Sequence, residues 1–463
     1  MEYVKALFFS VYEMKYRGFI KNYKKEKKNY FLSFENLKKL QEQQLRILID
    51  YVYRHVPFYK ELFKKLSIFP DDIKTIEDLE KLPVITKADI RKNYNKMFSP
   101  SSIRSLDYIK NTTGGSTGEP FEYRISKNAI MLERTLNTLH RTHIGYNIGD
   151  KVMYIGHTSI IPTKSINKTS LSWKFNNYFL NNRGYSSFNF SEKEIEKLVN
   201  YLNKWKPKYL YGYPSAMYSL VHYLENKHTN LSFSPKGILS TSETLHSFQR
   251  DKIEKILDTE VFNIYGINDG GISAHECNMH TGMHIDMRAS ITEIVDKYGN
   301  QLNQGKQGRI IATSLFNYAF PFIRYYTGDF GKLSYRECEC GRNNPILTDA
   351  IGRESEVIIS PNGNIIPSMM IPYLLYPRCA HTEFGMTQYK KIKNFRIIQE
   401  SIKRIVIKIV KDTQIKEKEF EYIKTNFHEK LGKNTEVQLK FVDFIPPLKS
   451  GKQPYVISKI SNI

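Results

Sequence analysis

The chain has 463 residues, and its 41% hydrophobic and 13% aromatic content excludes a disordered protein and predicts a large core in more than one domain. It contains no run of about eighteen apolar residues, so no membrane-spanning helix is expected. The net charge of +22 comes from lysines spread along the whole chain, which indicates a solvated basic surface rather than a nucleic-acid-binding stripe.

The first thirty residues combine an apolar patch with a basic stretch. The apolar patch spans positions 4 to 14, and lysines dominate positions 16 to 28. A basic amphipathic helix in this region could rest on an anionic membrane surface, or it could pack on the main domain. The patch contains charged residues and lacks a small-residue cleavage site, so we expect a cytoplasmic protein rather than a secreted one.

The middle of the chain predicts an α/β fold. Hydrophobic spacing first predicts a helix over 33–53. Between 151 and 230, short apolar strands such as 152–155 alternate with helical patterns such as 192–205, which is typical of parallel strands joined by helices. Ligands in such folds bind beyond the carboxyl ends of the strands.

The pattern changes after Arg353. A hairpin is predicted over 357–367, followed by strands at 395–399 and 405–410, a helix over 416–431 and a strand over 436–441. These elements form a small α+β unit of about a hundred residues. We therefore predict a large domain over 1–353, with a helical N-terminal region, and a small domain over 354–463.

A turn rich in glycine and hydroxyl residues is the first candidate functional segment. It contains Thr112, Thr113, Gly114, Gly115, Ser116, Thr117 and Gly118. Glycine lets main-chain N–H groups approach phosphate oxygens and the hydroxyls add donors, so this turn could wrap a polyphosphate. Glu119 and Pro120 stand where the common nucleotide loop has its lysine. A run of this composition can also be a flexible loop.

The cysteines predict a metal site rather than disulfides, because disulfides are rare in cytosolic enzymes. The proposed zinc ligands are Cys277, His284, Cys338 and Cys340. The Cys-x-Cys-Gly turn can present two thiolates to one ion, and the turn before His284 could fold its ring opposite the first cysteine. His280 and His275 are alternatives to His284. Cys379 is interpreted as a buried hydrophobic residue.

The glycine-rich turn and four later segments occur in a fixed order. The later segments are Tyr-Gly-Ile-Asn-Asp at 265–269, Arg-Tyr-Tyr-Thr-Gly-Asp at 324–329, Ile-Gly-Arg-Glu-Ser-Glu at 351–356 and Pro-Pro-Leu-Lys-Ser-Gly-Lys at 446–452. Together they resemble the signature series of adenylate-forming enzymes, the superfamily of acyl-CoA synthetases and adenylation domains. Each match is weak alone, and the ordered set is strong.

Further matches narrow the resemblance. They lie at 53–59, 82–87, 211–215, 241–245 and 317–324. The chain is most similar to the phenylacetate-CoA ligase branch and, within it, to the CapK-like proteins of capsular polysaccharide biosynthesis. This resemblance implies an α/β fold with a large multi-layer N-terminal adenylation domain and a small mobile α+β C-terminal domain.

The resemblance also implies ATP, Mg²⁺ and a set of nucleotide-binding residues. Beyond the turn at 112–118, the implied residues are Ser242, Glu243, Tyr265, Gly266, Asp329 and Arg353. Tyr265 and Gly266 would shape the adenine pocket. Asp329 would accept the ribose hydroxyls, and Arg353 would add a ribose or phosphate contact.

Two residues are implied to be catalytic. Lys452 would bring a cation to the acyl and ribose oxygens during adenylation. Asp269 stands where many relatives have a glutamate that helps to bind magnesium, so its reach is about one methylene shorter.

The expected function is that of an ATP-dependent ligase, which activates a small carboxylic acid as an acyl-adenylate and transfers it to an acceptor. In the capsular subgroup the acceptor would be an amine on a sugar, or the acid would be a sugar carboxylate. Coenzyme A is the alternative acceptor. A catalytically silent nucleotide-binding homologue is a further alternative, because Asp269 replaces the usual glutamate.

Overall fold

A computed structural model gives the architecture of the protein. It describes residues 2–99, 107–112, 122–156, 180–187, 191–351, 357–361, 365–367, 371–375, 392–411, 417–448 and 453–460. The chain divides into two compact units, of which the first comprises Met1–Ser242 and Ile253–Ala350 and the second Glu243–Lys252 and Ile351–Ile463. The predicted boundary at Arg353 stays a prediction, because residues 352–356 lie outside the described ranges.

The first unit begins with a helical region. The helices up to the end of the central sheet region are α1 (Glu2–Lys15), α2 (Phe19–Asn29), α3 (Phe34–His55), α4 (Pro57–Leu66), α5 (Lys87–Lys92), α6 (Lys127–His143), α7 (Glu192–Trp205), α8 (Pro214–Asn226) and α9 (Ser247–Leu257). Serine side chains cap α3 and α7, where Ser33 Oγ accepts the Asn36 N–H and Ser191 Oγ accepts the Glu194 N–H. The helices predicted over 33–53 and 192–205 are confirmed.

Thirteen described strands lie between residues 108 and 351. They are β1 (Tyr108–Thr112), β2 (Glu122–Ser126), β3 (Val152–Gly156), β4 (Asn182–Ser186), β5 (Tyr209–Gly212), β6 (Gly237–Thr241), β7 (Val261–Ile267), β8 (Ile272–Glu276), β9 (Met283–Ile285), β10 (Ser290–Val295), β11 (Gly308–Ser314), β12 (Tyr325–Ser334) and β13 (Ile346–Ile351). β1 and β2 form an antiparallel pair, and the other eleven form one sheet in the order β10-β11-β12-β13-β9-β8-β7-β6-β5-β3-β4.

The large sheet has a parallel and an antiparallel part. β4, β3, β5, β6 and β7 run parallel, which confirms the predicted architecture of this region. β7, β8 and β9 then pair antiparallel. A parallel pair needs a long crossover, whereas the four residues between β7 and β8 suffice only for an antiparallel turn. The carboxyl ends of β6 and β7 therefore lead directly into the candidate site.

The basic helix α2 packs within the first unit. Its aromatic residues Phe19 and Tyr23 are buried, while its lysines are exposed. Glu26 is buried as well, and its carboxylate accepts hydrogen bonds from the Arg288 guanidinium, with Nε at 3.0 Å. The apolar face of α2 is thus covered by protein, which favours packing over membrane contact. Among the described residues, no helix is both long and apolar enough to cross a membrane.

The second unit is a small α+β fold. Its elements are β14 (Val357–Ile359), β15 (Ile365–Pro367), α10 (Ile371–Leu375), β16 (Ile392–Ser401), β17 (Arg404–Lys411), α11 (Glu417–Leu431), β18 (Glu436–Phe441) and β19 (Val456–Ser458). A four-stranded sheet has the order β18-β17-β16-β19, and Ile397, Ile407 and Phe427 are fully buried in its core. The predicted hairpin, strands and helix after position 353 are confirmed.

A buried ion pair fixes the residue just before β12. Arg324 has a left-handed backbone with φ of 47°, and only 2% of its surface is exposed. Its Nη2 lies 2.9 Å from Glu293 Oε1, and its Nη1 donates to the Leu82 carbonyl at 2.7 Å. A non-glycine residue keeps this conformation only where its surroundings hold it firmly. The ion pair therefore stabilises the start of the strand that carries Asp329.

Replacing Glu293 by alanine should lower the free energy of unfolding by about 3–5 kcal/mol, because it leaves the Arg324 charge buried without its partner. Urea denaturation followed by tryptophan fluorescence measures this change. Lys38→Ala is the matched control, since it removes an exposed pair with Glu77 and should cost less than about 1 kcal/mol. Equal losses of unfolding free energy in the two variants would contradict a larger contribution from the buried pair than from the exposed pair.

Candidate functional site

Residues predicted to bind the nucleotide lie at the carboxyl ends of the parallel strands β6 and β7 or just after them. Ser242 comes directly after β6 and has a φ of 70°, a left-handed conformation that is uncommon for serine. Glu243 belongs to the second unit, where its Oε1 accepts the N–H of Gln453 at 3.0 Å. Tyr265 and Gly266 lie at the end of β7, and Gly266 is exposed. Local strain at Ser242 is typical of a functional loop.

The turn between β7 and β8 holds Asp269 against the neighbouring strands. Gly271 has a φ of +72°, which favours glycine. A side chain at Gly270 would place its Cβ 2.7 Å from the Cβ of Ala312 on β11. The two glycines therefore allow a turn that lies close to the sheet, and this turn positions Asp269.

Two hydrogen bonds cross between the turn region and β12. The hydroxyl of Tyr265 donates to Asp329 Oδ2 at 2.8 Å, and the hydroxyl of Tyr325 donates to Asp269 Oδ2 at 2.7 Å. Each segment thus supplies one phenol and one carboxylate, and we call these four side chains the crossed Tyr–Asp pairs. The structure brings the two predicted carboxylates into one arrangement. Tyr325 was not predicted as a site residue.

Both phenols remain donors at physiological pH. Burial and the Asp329 carboxylate raise the pKa of Tyr265 well above its usual value. Burial and Asp269 do the same for the pKa of Tyr325. A hydrogen bond to an ionised carboxylate is about twice as strong as one between neutral groups. The crossed pairs therefore hold both aspartates in fixed orientations.

The carboxylates keep capacity for a nucleotide and a cation. A carboxylate offers about four lone-pair sites, which is more than the single hydrogen bond from the Tyr265 phenol uses at Asp329. Asp269 is half-buried, and within the described ranges no hydrogen bond reaches its Oδ1. An oxygen ligand with this access suits Mg²⁺, which is usually held by one or two carboxylates together with phosphates.

Several predicted residues lie outside the described part of the chain. β1 ends at Thr112. The rest of the glycine-rich turn lies outside the described residues and comprises Thr113, Gly114, Gly115, Ser116, Thr117 and Gly118. The same holds for Arg353, Lys452 and Cys379. Their roles stay predictions.

The four residues predicted to bind zinc lie together. Their ligand atoms are all within 4.8 Å of one another, and the set comprises Cys277, His284, Cys338 and Cys340. The Sγ atoms of Cys277 and Cys338 are 3.7 Å apart, and Cys340 Sγ lies 3.4 Å from His284 Nε2. A tetrahedral zinc ion would separate two sulfurs by about 3.8 Å and a sulfur and a nitrogen by about 3.6 Å. The cluster fits this geometry.

The fold selects His284 among the three candidate histidines. His284 lies on β9, with its ring buried against the cysteines. The ring of His280 stacks on Phe262 at a centroid distance of 5.1 Å. The ring of His275 stacks on His140, and its Nε2 lies 2.9 Å from Ser273 Oγ. Neither alternative belongs to the cluster: His275 is the cross-strand partner of His284, but its ring contacts His140 and Ser273 instead, and the His280 ring contacts Phe262.

Burial and a neighbouring arginine set the protonation of two residues of the cluster. Burial and the nearby Arg342 lower the pKa of His284 to about 3, so its ring is neutral and can bind a metal. Burial raises the pKa of the Cys277 thiol to about 11. Zinc with three thiolates and a neutral imidazole carries a net negative charge. Arg342 would balance this charge: burial lowers the pKa of its guanidinium, but Tyr30 and the cluster cysteines outweigh burial and leave the pKa raised.

A buried polar cluster lies beside Arg342. Tyr30 Oη and Arg342 Nη1 lie 2.9 and 3.0 Å from His140 Nδ1, and His140 Nε2 lies 2.8 Å from Asp286 Oδ2. Both neighbours of Nδ1 are donors, so Nδ1 accepts and Nε2–H donates to the carboxylate. The imidazole is thereby satisfied without a metal. Sequence patterns did not predict this cluster, because its members come from widely separated segments.

Comparisons with known proteins identify relatives of this chain. Residues 381–459 match the family described as CapK C-terminal domain. Protein CapK of Staphylococcus aureus is 27% identical over 434 residues, which cover 92% of this chain and 90% of that protein. A phenylacetate-coenzyme A ligase of Thermus thermophilus is 25% identical over 366 residues, which cover 74% of this chain and 76% of that protein.

A solved structure shows the same fold. The 2-hydroxyisobutyryl-CoA ligase in the postadenylation state, in complex with 2-HIB-AMP, matches with a TM-score of 0.70 and 18% identity. The match covers 93% of this chain and 91% of that one. The mixed sheet and the small C-terminal fold described above are therefore those of adenylate-forming ligases. The chain is a homologue of CapK and of the phenylacetate-coenzyme A ligases, and it has the fold of adenylate-forming ligases.

Proposed function

We propose that this protein activates a carboxylic acid with ATP as an acyl-adenylate and then transfers the acyl group to an acceptor. The observation that carries the proposal is a pair of carboxylates held by the crossed Tyr–Asp pairs, with Asp269 just after the carboxyl end of β7 and Asp329 on β12. Ligand sites of α/β folds lie at this edge of the sheet. The relatives that are coenzyme A ligases support the same chemistry.

The chain's own residues divide the adenylation step among them. The substrate carboxylate attacks the α-phosphate of ATP, and pyrophosphate leaves. Asp329 orients the ribose through its hydroxyls, while Tyr265 and Gly266 border the adenine. Asp269 would hold Mg²⁺, which neutralises phosphate charge when bound. Lys452 stabilises the charge that develops on the acyl and phosphate oxygens.

For the cysteine cluster, we propose a structural zinc site. All four ligands come from the protein, so no position is left open for a substrate. The cluster joins the segment after β8 to the segment between β12 and β13. Because these strands flank the crossed Tyr–Asp pairs, the metal would stabilise the site without taking part in the chemistry.

The acceptor is proposed to be an amine on a sugar, in the assembly of a surface polysaccharide. Similarity to CapK over most of the chain supports this context, and a sugar carboxylate as the activated acid would fit it equally. Coenzyme A is the second candidate, because a phenylacetate-coenzyme A ligase covers three-quarters of the chain. We place the reaction in the cytoplasm.

Acceptor-dependent release of AMP distinguishes the two candidates. The protein is incubated with ATP, Mg²⁺ and an activated acid, and AMP is measured with an amino sugar, with coenzyme A or with neither. If the amino sugar speeds the release of AMP and coenzyme A does not, the proposed acceptor is supported. Faster release with coenzyme A alone would replace it by the thioester reaction.

A further inference from the structure

Tyr325 has an environment that leaves its hydroxyl little freedom. The side chain is fully buried, and its ring packs on Phe322 with a centroid distance of 5.0 Å. Gly270 also lies close to this ring, since an added Cβ there would lie 3.5 Å from it. Because the core fixes the ring, the Tyr325 hydroxyl cannot move together with its hydrogen-bond acceptor, Asp269. The position of Asp269 Oδ2 is therefore set by the core of the first unit.

The two crossed pairs repeat one sequence spacing. Tyr265 precedes Asp269 by four residues, and Tyr325 precedes Asp329 by four residues. Each tyrosine bonds to the aspartate of the other segment rather than to its own. The orientation of each carboxylate is thereby determined by the opposite strand. Loss of one phenol should disturb one carboxylate and leave the other bond in place.

We propose that Tyr325 is a positioning residue that directs Asp269 Oδ1 towards the magnesium of Mg·ATP, and that Tyr265 positions Asp329 for the ribose in the same way. This inference rests on the proposed adenylation reaction. Aspartate reaches about one methylene less far than glutamate, so a misdirected carboxylate loses the cation more readily. Outer-shell partners of metal ligands typically contribute about 10–100-fold to metal affinity.

The two tyrosines should therefore affect different steps of ligand binding. Tyr325→Phe removes one oxygen and should raise the magnesium concentration for half-maximal ATP–pyrophosphate exchange about tenfold. Its affinity for AMP without magnesium should stay unchanged. Tyr265→Phe should instead weaken AMP binding without magnesium about fivefold to tenfold, because Asp329 loses its orientation. Its magnesium requirement should stay unchanged.

The experiment combines exchange kinetics with calorimetry of AMP binding and of ATP binding at several magnesium concentrations. Tyr59→Phe is the matched control: Tyr59 is a buried tyrosine of the same unit whose hydroxyl donates to the Pro321 carbonyl and accepts the Ile323 N–H. It should lower the melting temperature and leave magnesium and AMP dependence as in the wild type.

The outcomes separate this inference from the proposed function. If Tyr325→Phe has the same magnesium dependence as Tyr59→Phe, or if Tyr265→Phe binds AMP like the wild type, the positioning roles are wrong. If the wild type binds neither AMP nor Mg·ATP, the proposed function itself fails. If the wild type binds both but exchanges no pyrophosphate, the calorimetric comparison still decides the positioning roles.

Discussion

A Lys452→Ala variant should form the acyl-adenylate at least about a hundredfold more slowly than the wild type, while its affinity for ATP stays nearly unchanged. A lysine that acts through the transition state contributes little to ground-state binding, so its loss lowers the rate rather than the affinity. A hundredfold loss corresponds to about 2.7 kcal/mol of activation free energy. ATP–pyrophosphate exchange measures the rate, and calorimetry measures the affinity.

Lys449→Ala is the matched control, because Lys449 precedes Lys452 by three residues in the same basic segment. It should keep an exchange rate within about twofold of the wild type, because the resemblance assigns the catalytic role in this segment to Lys452 alone. Unchanged exchange in Lys452→Ala would refute the assignment of this lysine. Equal losses in both variants would indicate a general effect of charge.

Purified protein prepared without chelator should contain about one zinc ion per chain, and a Cys338→Ser/Cys340→Ser double variant should contain none. The double variant removes two of the four ligands, so metal binding no longer contributes to folding. It should therefore unfold at a lower temperature and lose adenylation activity together with the metal. Elemental analysis and thermal denaturation measure the two effects.

Cys379→Ser provides the control for a thiol outside the proposed zinc site. It should keep the full zinc content, whereas each of the cluster cysteines should be required for it. Wild-type protein without zinc, or a double variant as stable as the wild type, would contradict a structural metal. Loss of zinc in Cys379→Ser would show that the ligand set is wrong.

Local chemistry explains why much of the fold could be predicted. Ser33 and Ser191 cap helices whose hydrophobic spacing was already clear, and the parallel strands alternate with those helices. The antiparallel half of the sheet was not predicted. Its strands follow one another through short turns, such as that at Gly270 and Gly271, and short apolar runs alone do not show which neighbour they pair with.

The candidate site was predictable where a motif names its residues. Asp269 and Asp329 belong to such motifs. The tyrosine that contacts each aspartate, however, comes from the other motif, which is distant in sequence. The repeated Tyr-x-x-x-Asp spacing was the available signal for Tyr325. For the cysteine cluster, the sequence offered three histidines within ten residues, and only the side-chain positions show that the His284 ring lies among the thiols.

ATP–pyrophosphate exchange measured across a panel of carboxylic acids, including aryl, hydroxy and sugar acids, tests the central claim most directly. Exchange reports reversible formation of an acyl-adenylate before any acceptor is involved, so the result does not depend on the acceptor. We predict magnesium-dependent exchange with at least one class of acid, lost in Lys452→Ala. Binding of Mg·ATP without exchange for any acid would contradict the account and indicate a nucleotide-binding protein without adenylation activity.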